Sequence, residues 1–124
     1  MISKTILLDK IIQVVPDICD KAVFFMAVTE TSYEVFFYSF IDGEPKQCYG
    51  MAEDGLLDEN ILHHVFASMV EVIRKSEEFQ KEKLNVITIS YGKLGYVLDV
   101  QYTPYERDVH IYKIKKEWMK KHIL

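Results

Sequence analysis

Two stretches near the N-terminus constrain the fold more than anything else in the chain. "AVFFMAVT" (from Ala22) and "SYEVFFYSFI" (ending at Ile41) are rich in β-branched and aromatic residues and are separated only by the polar Glu30, Thr31 and Ser32, which predicts two strands of a hairpin. In both, the apolar residues fall on both parities. Val23, Phe25 and Ala27 alternate with Phe24, Met26 and Val28, then Val35, Phe37 and Ile41 with Phe36, Tyr38 and Phe40. Successive side chains of a strand point to opposite faces, so both faces of this sheet must be covered. The expected cover is the chain's own helices; what they leave open is a partner or dimer surface.

The rest of the chain supplies such helices. Ile6, Leu7, Leu8, Ile11, Ile12, Val14 and Val15 recur at helical period between Ser3, a cap, and Pro16, a stop. Asp58 caps a second helix, with Ile61, Leu62, Val65, Phe66, Met69, Val70 and Ile73 at three- and four-residue steps and Glu71, Arg74 and Lys75 opposite. "DGEPK" at Asp42–Lys46 predicts a turn followed by a third strand around Gln47 to Met51. After the charged "SEEFQKEK", "LNVITISY" and "GYVLDVQY" predict a second hairpin joined by "GKLG". "TPYE", Thr103 to Glu106, is a capping box with proline at the first helical position, so strand gives way to a terminal helix whose last turns carry Lys120, Lys121 and His122. The expected fold is therefore α+β, an antiparallel five-stranded sheet packed with three helices in the order α-β-β-β-α-β-β-α. A length of 124 residues with about half of them hydrophobic suits a single domain over residues 1–124, able to bury its core without metal or disulfide.

No apolar run reaches the roughly 18 to 20 residues that cross a bilayer, and Asp9 interrupts the N-terminal apolar stretch where a signal peptide has none. The sequence reads as cytoplasmic, with no membrane partner. Cys19 and Cys48 stand far apart with no CxxC, which suggests reduced, buried thiols in place of a disulfide or zinc site.

Chemistry-bearing patterns are sparse. His63 and His64 are helix neighbours about 100° apart and cannot share a metal, while Glu59 and His63 at i,i+4 share a face but lack a third ligand. His110 reads as the side of a helix and His122 as a helix-end cation. There is no GxSxG, HExxH or glycine-rich phosphate loop. Glu53 with Asp54 and Asp58 with Glu59 are paired acids on polar connections, where hydrated carboxylates are the ordinary reading. The expectation is a binding protein, with no enzymatic activity, cofactor or metal.

The distribution of charge says what it binds. Glu30, Glu34, Asp42, Glu44, Glu53, Asp54, Asp58 and Glu59 face the one base Lys46, a net charge of −7 over Glu30–Glu59. From Tyr105 onward the balance is +3. Such an acidic band does not bind nucleic acid, whose phosphates need clustered Lys and Arg. With Tyr33, Tyr38, Phe40 and Tyr49 interleaved, it suits a protein interface in which rings anchor and charges steer. The candidate partner-binding residues are Glu30, Glu34, Asp42, Glu44, Tyr49, Glu53, Asp54, Asp58 and Glu59.

Two blocks carry a family resemblance. "PYERDVHIYKIKKE", Pro104 to Glu117, resembles the C-terminal block of YezG-like bacterial immunity proteins through Pro104, Tyr105, Glu106, Arg107, Ile111, Tyr112 and Lys113. "IIQVVPDICDKAVFFMAV", Ile11 to Val28, is similar to that family's helix, proline, turn and apolar first strand. The chain departs from the family at Cys19, where tryptophan is frequent, and at Ile114 and Lys115, where Leu-Gly is usual. The resemblance implies a cytoplasmic antitoxin without catalytic residues. The partner it implies is the nuclease-type C-terminal domain of a secreted or contact-delivered toxin. The sequence leaves the oligomeric state open, with a monomer favoured. The alternative is an acidic type III secretion chaperone, a homodimer that holds an extended client and shares the same element order.

Overall fold

A computed structural model of the chain describes residues 4–81, 84–92, 97–102 and 111–124. The elements are α1 (Lys4–Ile11), β1 (Lys21–Thr29), β2 (Tyr33–Ile41), β3 (Glu44–Gln47), α2 (Cys48–Glu53), α3 (Glu59–Arg74), α4 (Glu77–Lys81), β4 (Leu84–Gly92), β5 (Val97–Tyr102) and α5 (Ile111–His122). The strands form one antiparallel sheet in the order β3-β2-β1-β4-β5. The α+β class and the expected order of strands and main helices are present, with two short helices added.

The two-sided apolar pattern has the consequence expected of it. Central β1 is buried from Ala22 through Val28. On one face Phe24 stacks on Phe37 with centroids 4.5 Å apart, and Phe66 of α3 meets Phe37 edge-on at 6.1 Å. On the other, Phe25 stacks on Phe36 at 5.2 Å, and Trp118 of α5 stands edge-on to both at 5.6 and 5.5 Å. Such pairs contribute about 0.5–1.5 kcal/mol each beyond area burial. Helix α1 lies against α3 and β5, so the sheet sits between α1 with α3 on one side and α5 on the other.

The first helix ends earlier than its stop at Pro16. Its regular turns finish at Ile11, and Val14 and Val15 reach the core through a tighter turn in which their N–H groups both donate to Ile11 O. Ile6 and Ile12, placed on the apolar stripe by the sequence, are about half exposed.

The third strand also differs from expectation. Only Asp42 and Gly43, with φ of 53° and 80°, form the turn, a pair of positive values that matches the type I′ hairpin of Asp-Gly. Strand pairing resumes at once, and Pro45 sits opposite Phe40. Phe40 O accepts from Asp20 N, so Phe40 directs its backbone groups toward β1. Pro45 therefore faces it across a non-hydrogen-bonded position of an edge strand, where its missing N–H costs the ladder nothing. At Gln47 the strand stops, because the Gln47 side chain accepts from Tyr49 N at 2.7 Å and caps α2. Cys48 and Met51, three apart, then bury the same side of that helix.

The charged segment after α3 is partly helical. Ser76 Oγ donates to Ile73 O at 2.6 Å and accepts from Phe79 N at 3.3 Å, linking the end of α3 to α4 and burying Phe79. Ser3, the "KLG" part of the "GKLG" turn, the Thr103–Glu106 capping box, His110 and the first part of the Pro104–Glu117 block lie outside the described residues. Among the described residues, no helix is long and apolar enough to cross a membrane.

Candidate functional site

Because β3 pairs only with Tyr38–Ile41, the first half of β2 has no neighbouring strand on that side among the described residues. A groove of about 660 Å³ runs along this edge, lined by Tyr33, Glu34, Val35, Tyr49, His63 and Lys115 among others. Its walls follow from the two faces of the sheet. On the α3 side, Tyr49 packs against His63 (6.0 Å) and edge-on to Phe66 (6.5 Å), and Arg74 lies 5.9 Å from the Tyr33 ring. Towards α5, Lys115 pairs with Glu34 and lies 5.7 Å from the Phe36 ring.

Tyr49 is the centre of this arrangement. Its ring is about one-third exposed, and its hydroxyl donates a long 3.4 Å bond to Val35 O. Burial raises the phenol above its ordinary pKa, and neighbouring Cys48, Tyr33, Glu34 and Glu59 push in the same direction. Glu34 lines the groove with Tyr49, whereas Glu59 adjoins it only through groove-lining His63. Glu59 also meets His63 at 3.4 Å across an exposed helix surface.

The remaining acids divide by position. Glu30 sits in the β1–β2 turn, whereas Asp42 and Glu44 lie at the opposite end of β2. A nine-residue strand spans about 30 Å, so these acids do not share a patch with Glu30. Glu53 and Asp54, at the C-terminal end of α2, and Asp58 lie on the connection to α3. Asp58 is committed structurally: its carboxylate accepts from Asn60 N at 2.8 Å and Ile61 N at 3.2 Å. Together with Glu34 and Glu59 at the groove, the acidic band of the sequence is therefore four groups in space.

Sequence reasoning did not mark Arg74 or Lys115. Arg74 Nε donates to Thr29 O at 3.0 Å and Nη2 to Ser32 O at 3.2 Å, clamping the β1–β2 turn onto the end of α3. No local pattern signals either contact, since each joins residues more than forty positions apart.

Cys48 is buried beside the Phe37 backbone, and burial pushes its thiol up to about 11, which keeps it protonated and a poor nucleophile. Cys19 is also a buried free thiol. Among the described residues, no three His, Cys, Asp or Glu side chains converge to hold a metal. A second, smaller cavity of about 280 Å³ lies between β4, β5 and α5, bordered by Thr88, Gln101, Trp118 and His122. What the first groove offers is backbone hydrogen-bonding groups, aromatic walls and carboxylates, a set suited to recognition of a polypeptide. No family model matches the chain, and no curated protein matches it.

Proposed function

We propose that this protein is an immunity protein that binds and neutralises the nuclease-type C-terminal domain of a bacterial toxin in the cytoplasm, acting by occlusion and without catalysis. The observation that carries the reading is the aromatic groove lined by Tyr33, Phe36, Tyr49 and Phe66, with Glu59 beside its His63 wall, set in a segment with a net charge of −7. Nucleases are cationic because they hold phosphates, so carboxylates on a rigid body compete for the same surface. The rings supply contact energy and the acids steer the encounter. The resemblance to YezG-like proteins supports the same reading.

Two charge variants test it in cells that make the toxin encoded beside this gene. One changes Glu53 and Asp54, at the end of α2, to Lys and Glu59, beside groove-lining His63, to Gln. The other changes Asp42 and Glu44 to Lys at the far end of β2. Loss of protection in the first, with most protection kept in the second, is the expected result. Full protection by both overturns the proposal.

The alternative, a dimeric secretion chaperone that holds an extended client, has one structural feature in its favour, the unpaired edge of β2. It requires a stable homodimer on a calibrated sizing column, whereas the immunity reading favours a monomer that binds a folded toxin domain.

A further inference from the structure

The backbone at the groove carries more information than its charges. Val35 O receives the Tyr49 hydroxyl, and Phe40 O is taken up on the β1 side. Residues of one parity in a strand direct both backbone groups the same way, so Tyr33 and Val35 turn their N–H and C=O groups toward the groove. Phe37, of the same parity, is already engaged by Cys48. Among the described residues, the edge thus stops being paired by a strand of this chain between Phe37 and Tyr33. Tyr49 fills part of the gap with a bond near the limit of hydrogen-bond distance. Native sheets normally blunt or cover an edge of this kind, and here, among the described residues, the cover over Val35 O is the one-third-exposed Tyr49.

The two walls differ in charge. An added strand would alternate its side chains between them. On the α3 side they would meet Tyr49, Phe66 and His63, with Glu59 next to His63. On the α5 side they would meet Phe36 and Met119, where Glu34 is already neutralised by Lys115. The first wall suits a cation over aromatic rings and beside a carboxylate; the second suits an apolar residue.

We propose that the partner adds an extended strand to the Tyr33–Val35 edge of β2, bearing Lys or Arg at the positions facing α3 and apolar residues at those facing α5. This rests on the immunity reading for the partner's identity as a toxin domain, and on the geometry of the edge for the mode of binding. The strand replaces the Tyr49 hydroxyl at Val35 O, leaving the ring as an anchor.

The test uses the full chain and synthetic nonapeptides, acetylated and amidated, that alternate Lys with Val, together with a Glu–Val counterpart. Two further Lys–Val peptides are N-methylated at alternate amides, one on each parity. Binding is read by fluorescence anisotropy and by amide NMR. The expected result is shifted and exchange-protected amides at Tyr33 and Val35, at least about tenfold weaker binding of the Glu–Val peptide, and loss of binding on methylation of one parity only. Equal binding of both charges, indifference to methylation parity, or amide shifts confined to α1 or the outer side of α5 overturns the proposal. So does protection of Tyr33 and Val35 in the protein alone that rises with its concentration, since a second copy then occupies the edge. The toxin reading fails separately: peptide binding at this edge without protection of cells leaves strand addition standing and removes the toxin. Acid-dependent protection without peptide binding does the reverse.

Discussion

The indole Nε1 of Trp118 donates a 2.8 Å hydrogen bond to Thr88 Oγ1 inside the layer between α5 and the sheet. Both residues are buried, at 5% and 2% exposure, and thirty positions separate them, so this contact fixes where the terminal helix sits on β4. Around this bond the indole packs edge-on against Phe25 and Phe36, so a buried polar contact sits within an aromatic one.

Replacing Thr88 with Val keeps the volume and β-branching but leaves the indole N–H buried without an acceptor. The expected cost is about 1–3 kcal/mol, read as a lower urea midpoint. Trp118→Phe in the Thr88→Val background is expected to cost less than the sum of the two single changes, because the orphaned donor is removed. Strict additivity in that cycle contradicts the pairing.

Asp58 separates capping from charge. Asp58→Ala is expected to lose about 1 kcal/mol through the unmet N–H groups of Asn60 and Ile61. Asp58→Asn retains an acceptor and is expected to stay within a few tenths of a kcal/mol of the parent in the same assay. If Asp58→Asn protects cells as well as the parent, Asp58 acts through the fold alone and leaves the set of partner-contacting acids.

His122 makes stability depend on pH. Burial, followed by nearby Lys121, lowers its pKa below the ordinary 6.5, and its ring lies 5.1 Å from Trp118. The unfolded chain then binds the proton more readily than the folded one, so stability rises with pH across this titration. The neutral-His state is intact above about 6.5, and its stability is lost as pH falls through the lower folded value. Urea midpoints at pH 8 and pH 5, followed by the emission of the single tryptophan, are expected to differ more for the parent than for His122→Gln. An equal or larger difference in His122→Gln counts against this assignment.

How much of this was legible beforehand follows the range of the interactions. The α3 helix was readable because sixteen residues repeat one apolar stripe behind a capping aspartate. The two-faced strands announced their covering helices because parity is a local property. Helix α2 was not readable: six residues hold too little periodicity, and its start depends on one side-chain bond from Gln47. The groove was hidden for a different reason. It exists because β3 is only four residues long, and its walls come from β2, α2, α3 and α5. The acids of the sequence looked contiguous because they are close in the chain, while β2 holds Glu30 and Asp42 at its two ends.

The position of β1 in the middle of the sheet has a consequence for biosynthesis. Its hairpin partner β2 follows within a few residues, but the other side waits for β4, in which Leu84 pairs with Thr29 and Gly92 with Lys21. At about 5–20 residues per second on the ribosome, the nascent meander spends roughly 3 to 14 s with its most apolar strand open along one flank. A transcript truncated ahead of Leu84 would leave that flank open permanently, and its product is a substrate for chaperones or an aggregate in place of a smaller working domain.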